Sequence, residues 1–493
     1  MAREIVDVGN LIAGHRVDSP EPFVVVDPAE ADRVVGRAYA ADAGLVDRAV
    51  EAAAAASAGW AALPLAERVA ALSVAAAKAQ EAINGGEWAR LLVAEQGKIL
   101  LEAGFEVGRV GALVEVFATL AERALADEVV TDDQGRREVS YRPFGVVAAV
   151  TPWNWPVSLT MGKVVPALVA GNTIVVKPAP TTPLTITSIL AAMSSELPAG
   201  TLNVVQGGGD VGAALVAHPM VRKVAFTGST ANGRRVYASA ADGVRSLTLE
   251  LGGNDPAVVL DDADLSPATL DRMLQAMFVP TGQVCWAIKR VYVDRRRHDE
   301  LVDALVARLG SYVVGPGLDP RSYLGPLHIA PQRDKVRDLL AGSRASGAEV
   351  HEAGELLGDP DRGYFLRPSL VTGLAPDAPL VVEEQFGPAV PVLAFDDIEQ
   401  AVGLANDSEF GLCASVWSAD VERGFDVARR LEAGQVFVNA HAGPALDYGT
   451  AIGGIKQSGV GREMGIQGLR EYCEVRSVSD RVLRPPLTRS PSG

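Results

Sequence analysis

The sequence predicts an α/β protein with two domains, each a mostly parallel sheet covered by helices on both faces. Three observations predict it. The 493-residue length suits two to four domains, at roughly 100–200 residues each. Beyond residue 145, short apolar runs rich in Val and Ile alternate with stretches of helical periodicity. The chain is 48% hydrophobic and 22% charged, the balance of an ordinary globular protein. That balance excludes a disordered chain, a collagen-like fibre and a disulfide scaffold.

From Ala43 to Ala126 apolar positions such as Val46, Val50, Ala53 and Ala54 recur at three- and four-residue spacing, which predicts several helices broken at Gly85-Gly86. Arg137–Pro143 and Val146–Val150 then read as strands. Thr173–Val176, Leu202–Val205 and Val221–Phe226 read as short strands, because each is apolar and β-branched. Between them lie helices over Pro183–Leu197 and Val211–Ala217, with Gly233–Ala241 after the third. The rhythm resumes with strand Ala257–Leu260, helix Pro267–Ala276, strand Val291–Val293 and helix His298–Leu309, and Val436–Asn439 closes it. Such alternation places a functional cleft where loops leave the strand ends.

Forty-five basic residues against 61 acidic ones leave a net charge of −16, which disfavours nucleic acid as a partner. Three scattered cysteines, Cys285, Cys413 and Cys473, fit neither a disulfide framework nor a metal site, and a reducing cytoplasm is expected. The first residues lack a basic start followed by an apolar run, so no signal peptide is expected. The apolar region from Val146 to Val176 is interrupted by Pro152, Asn154, Pro156, Lys163, Pro166 and Asn172. A membrane span, needing about 20 unbroken apolar residues, is therefore not expected.

Four segments carry candidate chemistry. Cys285, in a Gly-containing turn with small neighbours, is either a nucleophile open to substrate or a small packed hydrophobe. Glu250 ends an apolar strand before Gly252 and Gly253, where it is a general base with a raised pKa or a Glu beside a turn. Asn154, in the Trp/Pro loop 151–156, can offer an amide N–H to an oxyanion, or else the loop is a packing corner. Lys177, Gly228 and Ser229 stand at the ends of strands, where Ser229 and Gly228 can meet a pyrophosphate and Lys177 a ribose hydroxyl. The glycine run 207–212 reads as a plain turn.

Taken together, the segments TPWNWP (151–156), VVKP (175–178), NVVQGGG (203–209), FTGST (226–230), LELGGNDP (249–256), GQVC (282–285), EEQFGP (383–388) and GGIKQSGVGRE (453–463) resemble the aldehyde dehydrogenase superfamily, of the NAD(P)-dependent non-acylating type. They stand in the family order, and the resemblance covers roughly residues 20 to 475. It implies the aldehyde dehydrogenase fold: a Rossmann-like nucleotide-binding domain (1–126 and 145–251), an α/β catalytic domain (252–455) and a small β oligomerisation element (127–144 and 456–485). Residues 486–493, rich in Pro and Ser, are expected as a flexible tail. A homodimer or homotetramer is implied.

The resemblance also implies roles. Cys285 attacks an aldehyde, Asn154 and the Cys285 N–H hold the oxyanion, and Glu250 activates the water that hydrolyses the thioester. Lys177 binds the adenosine ribose, Ser229 the pyrophosphate, and Trp153 and Gly228 line the groove. Glu384 binds the nicotinamide ribose with Phe386 against the ring. No metal is implied. The cofactor is NAD, with NADP left open, because Pro180 stands where many NAD-preferring members carry a Glu that repels a 2′-phosphate. Ala451-Ile452 replaces a common aromatic, and Trp286 beside the nucleophile narrows the tunnel. The helix near Gly104–Phe117 shows no diagnostic charge, so the aldehyde is left unnamed.

Three alternatives are weighed. A CoA-acylating enzyme generally lacks the carboxylate that Glu250 supplies. A catalytically silent structural relative would be expected to have lost Cys285, Asn154 or Glu250. A cofactor-free cysteine hydrolase needs a His base, yet His15, His218, His298, His328, His351 and His441 lie outside the matched segments and read as solvated or packed surface residues.

Overall fold

The computed structural model describes residues 5–84 and 87–481. The Gly85-Gly86 break and the 486–493 tail lie outside the described residues.

An eight-stranded sheet forms the first layer system. Its order is Gly459–Val460, Ser246–Glu250, Val221–Thr227, Val146–Val150, Thr173–Lys177, Leu202–Val204, Asn10–Ile12 and His15–Val17. The five inner strands are parallel and the edges antiparallel. Strand alternation decides which residues meet which helices. Val147, Ala149, Ile174 and Val176 pack into one core with helices Leu65–Ile83, Val110–Leu125 and Pro156–Val169. Val146, Ala148 and Val175 enter another with helices Ala43–Ala62 and Gly209–Ala217. Both faces are buried, so the strands read as continuous apolar runs. Asp42 caps helix Ala43–Ala62, its carboxylate accepting from the Leu45 N–H at 2.8 Å.

A seven-stranded sheet follows, ordered Glu349–Glu352, Ser369–Thr372, Ala389–Phe395, Ile288–Asp294, Asp255–Val259, Cys413–Trp417 and Gln435–Val438. Ala257, Val259, Val291 and Val293 face helices Pro267–Phe278 and His298–Leu309. Val258, Tyr292 and Val416 face helices Ile398–Asn406 and Val421–Ala428.

A three-stranded antiparallel sheet joins Glu128–Asp132, Gly135–Pro143 and Cys473–Ser479. The expected boundary at residue 456 needs correction: Gly459–Val460 pairs with Leu249 and Glu250 at the edge of the large sheet. The short strand pairs there because Gly459 approaches the Leu249 carbonyl closely, leaving 2.3 Å to any Cβ. The N-terminal strands Val6–Val8, Pro22–Asp27 and Glu30–Tyr39 form a further three-stranded sheet before the first helix.

Candidate active site

The parallel strands of the first sheet run in the spatial order fifth, fourth, first, second, third, so the switch point falls between Val146–Val150 and Val221–Thr227. Loops leaving these two strands diverge and open a crevice at their carboxyl ends. Trp153 and Asn154 follow the first of them, Gly228 and Ser229 the second. Lys177 ends the strand beside the first of these and Glu250 the strand beside the second. From the second sheet, the turn carrying Cys285 precedes strand Ile288–Asp294, and Glu384 and Phe386 precede Ala389–Phe395.

The turn bearing Cys285 is built by close backbone approach. Gly282 has φ +69°, and a Cβ there would stand 2.5 Å from the Gly387 carbonyl. A Cβ on Gly253 would stand 2.5 Å from the Cys285 carbonyl, and one on Gly252 2.5 Å from Glu384 Oε2. The two glycines after Glu250 thus admit the turn bearing Cys285 and the Glu384 carboxylate. Asn154 is buried, and its Nδ2 donates to the Gln283 carbonyl at 3.0 Å. That uses one of its two amide N–H groups and leaves the other for an oxyanion. Lys289 Nζ donates to the Cys285 carbonyl. Burial pushes the Cys285 thiol up to about 12, Lys289 pulls it back, and Glu250, Glu384 and Asp255 raise it further.

Glu250 is buried, and its Oε1 has no hydrogen-bond partner. Burial first, and the nearby Glu463 second, hold its carboxyl well above the usual carboxylate range, with Lys163 and Arg462 opposing. A carboxylate whose proton affinity is raised by burial and a neighbouring carboxylate is suited to act as a general base.

Several supporting residues escaped the sequence reading. Lys98 and Glu106 form a fully buried ion pair. Lys98 also donates to the Asn154 carbonyl at 2.9 Å and lies 3.9 Å from the Trp155 ring centroid. Glu106 Oε1 accepts from the Val157 and Ser158 N–H groups at the start of helix Pro156–Val169. A second buried pair joins Lys163 to Glu463 beside Glu250. The sequence signals available were Lys163 in an otherwise apolar helical stretch and Lys98 beside Gly97 in the loop between two helices.

Two earlier expectations are overturned. His328 and His441 are buried rather than surface residues. His328 stacks on Trp153 with centroids 4.5 Å apart, and its ring nitrogens meet the Gln96 carbonyl and Thr181 Oγ1. Burial lowers it to about 4, so it is neutral. His441 Nε2 lies 2.9 Å from the Trp286 carbonyl, and Nδ1 2.9 Å from Ser415 Oγ. The helix region 104–117 does carry a notable charge. The Arg109 guanidinium lies 4.8 Å from the Phe105 ring centroid and 4.4 Å from that of Tyr448. Arg109 stands one residue before helix Val110–Leu125, and Tyr448 packs against the same core as Cys285 and Trp286.

The residues at the crevice fit a dinucleotide. Ser229 caps the twelve-residue helix Thr230–Ala241, whose first turn holds no acid, so its N-terminus is favourable for a phosphate. Lys177 Nζ donates to the Pro178 and Gly207 carbonyls at 2.9 and 2.7 Å, and burial lowers it to about 8. Gly207, in the run read as a plain turn, therefore holds a site lysine. Trp153 meets Phe386 edge-on at 5.6 Å, walling an aromatic slot. Glu384 Oε1 accepts from the Gly253 N–H at 3.0 Å and lies 3.4 Å from Lys289 Nζ. Among the described residues, no cluster of three or more His, Cys, Asp and Glu is arranged to hold a metal, and no helix is long and apolar enough to cross a membrane.

Fold and site together define an NAD(P)-dependent oxidoreductase with the aldehyde dehydrogenase fold. The family model described as "Aldehyde dehydrogenase family" matches residues 16–478, and the chain belongs to the aldehyde dehydrogenase family. It is 38% identical over 472 residues to a 2-hydroxymuconic semialdehyde dehydrogenase from Pseudomonas sp., covering 93% of this chain and 96% of that one. Among solved structures, an E. coli NADP-dependent enzyme is 34% identical with a TM-score of 0.91, covering 97% of this chain and 98% of the other. A betaine aldehyde dehydrogenase from Staphylococcus aureus, in complex with NAD+, is 29% identical with a TM-score of 0.90, covering 99% and 97%. The reaction is therefore oxidation of an aldehyde to the acid with NAD(P).

Proposed function

We propose that Cys285, Asn154 and Glu250 carry this oxidation through a covalent intermediate. The observation supporting it most directly is the placing of Asn154 Nδ2 on the carbonyl of Gln283, two residues before Cys285. The Cys285 thiolate adds to the aldehyde carbon, and the oxyanion of the thiohemiacetal accepts from the Asn154 amide and the Cys285 backbone N–H. Loss of hydride from that carbon, for which bound NAD(P) is the acceptor, leaves a thioester. Glu250 takes a proton from water as the water attacks, and the acid leaves as the thiol is restored. Lys177, Ser229, Gly228, Trp153, Glu384 and Phe386 bind the dinucleotide. Glu250 favours water over CoA as the acyl acceptor.

The aldehyde admitted carries an anionic end. Arg109 is held by two aromatic faces rather than by a carboxylate, so its N–H groups are available to a carboxylate substrate. Glu106, one helical turn earlier, is tied through Lys98 to Asn154, and Tyr448 leads into Gly453 beside Glu250. Arg109 thus links the segment that carries Glu106 to Tyr448. Of the relatives named above, this favours a semialdehyde over the cationic betaine aldehyde.

The chain works as a homodimer or homotetramer in the cytoplasm. The exposed Val129, Val130, Val475 and Val478 of the three-stranded sheet support association.

The test is a spectrophotometric comparison of an ω-oxo acid, an alkanal of equal length and betaine aldehyde, with wild type and Cys285→Ala. Turnover lost in Cys285→Ala with NAD binding retained supports the chemistry, and retained turnover refutes it. A preference for betaine aldehyde would overturn the role of Arg109.

A further inference from the structure

Lys289 has no part in the steps above, yet it sits between the two halves of the site. Its side chain is 2% exposed. The ammonium donates to the Cys285 carbonyl, lies 3.4 Å from Glu384 Oε1, and stands 5.8 Å from the Phe386 ring centroid. Strand Ile288–Asp294 is buried throughout, and the Lys289 carbonyl is itself held by Gln385 Nε2 at 3.0 Å. The lysine is thus anchored at both ends, with the residue beside Glu384 supplying one anchor.

We propose that Lys289 is a positioning residue that couples nucleophile to cofactor site: one ammonium is shared between the turn bearing Cys285 and the carboxylate of Glu384. This rests on the assignment of Cys285 as nucleophile and Glu384 as ribose ligand. The physical argument is one of charge. Among the described residues, the groups acting on the Cys285 thiol include Lys289, Glu250, Glu384 and Asp255, one cation against three carboxyl groups, and the Cys413 thiol interacts with it as well. His441 adds an imidazole on the neighbouring Trp286 carbonyl. When Glu384 pairs with Lys289, part of that positive charge is cancelled. When its oxygens turn to ribose hydroxyls, the cation acts more fully on the sulfur, because Coulomb attraction in a buried site is weakly screened. Carbonyl anchoring matters as well, since the Cys285 N–H can serve an oxyanion only if the turn holds its orientation.

The test is the rate of alkylation of Cys285 by iodoacetamide as a function of pH, with the label located by mass spectrometry. Cys413 and Cys473 are buried and provide internal controls. Lys289→Met should move the profile to higher pH and slow labelling at pH 8 by about tenfold, the change expected for one unit of thiol pKa. Lys289→Arg should label within about threefold of wild type, since charge is kept. Glu384→Gln should label faster than wild type at the same pH. A Lys289→Met profile that superimposes on wild type overturns the proposal, as does unchanged or slower labelling of Glu384→Gln. If Lys289→Met fails to fold by circular dichroism, Glu384→Gln decides alone. Failure of the underlying reading shows separately, as turnover in Cys285→Ala or as unaltered NAD affinity in Glu384→Gln.

Discussion

The carboxylate of Glu250 rests against the bare α-carbon of Gly453, where a Cβ would stand 2.8 Å from Oε1. The base assigned to water activation therefore keeps its place only because residue 453 has no side chain. Gly453→Ala should force the carboxylate to move, slowing thioester hydrolysis at least about tenfold, equivalent to about 1.4 kcal/mol of barrier. Rapid-quench kinetics should show an intact burst of NADH followed by a slower steady state. An unchanged steady-state rate would mean that Glu250 acts from another position.

Glu250→Gln carries the same argument to the group itself. Removing a general base typically costs 10²–10⁴-fold, so acyl-enzyme should accumulate after one burst of NADH. The pH dependence has a definite sign. Burial and Glu463 raise the Glu250 carboxyl, so in wild type the hydrolytic step should quicken with pH through a range above that of an ordinary carboxylate. In Glu250→Gln this limb should vanish. A limb that persists would belong to a different group.

The candidate site was legible in the sequence where chemistry and backbone coincide. Cys285, Glu250 and Asn154 lie at strand ends or in Gly- and Pro-marked loops, and the strand before Asn154 is an unbroken apolar run. What hid was buried charge. Glu106 and Lys163 look like ordinary helix residues and Lys98 like a loop residue, because the contacts that give them a role reach far along the chain, as Glu463 does for Lys163 and the Asn154 carbonyl for Lys98. Strand Ala389–Phe395 was hidden by Pro391, which removes a backbone donor and argues against a central strand. His328 and His441 gave no local signal, since burial of a histidine depends on the far wall of the cleft. Arg109 was passed over because one of the two rings that hold it, Tyr448, lies far along the chain.

Pro180 tests cofactor discrimination. It is exposed, in the turn following Lys177, so Pro180→Glu should be accommodated without repacking. The new carboxylate would accept from a ribose 2′-OH and repel a 2′-phosphate. The ratio of kcat/KM for NAD over NADP should rise about tenfold, worth about 1.4 kcal/mol. An unchanged ratio, measured with both cofactors on one aldehyde, would place discrimination elsewhere.

Glu106 is the residue on which the Asn154 loop depends. One carboxylate oxygen pairs with Lys98 and the other accepts from the Val157 and Ser158 N–H groups. Glu106→Gln leaves the lysine charge buried without its partner, a change that costs roughly 3–5 kcal/mol in comparable pairs. Part of that loss should be felt at the site, because the freed Lys98 still holds the Asn154 carbonyl and any shift of its ammonium tilts the oxyanion amide. Glu106→Gln should therefore lower the urea midpoint and also reduce kcat more than it raises KM. The double variant Glu106→Gln, Lys98→Met removes both charges. It should regain much of the stability while kcat stays low, because the support under Asn154 is still missing. Recovery of kcat along with stability would show that the pair serves folding alone.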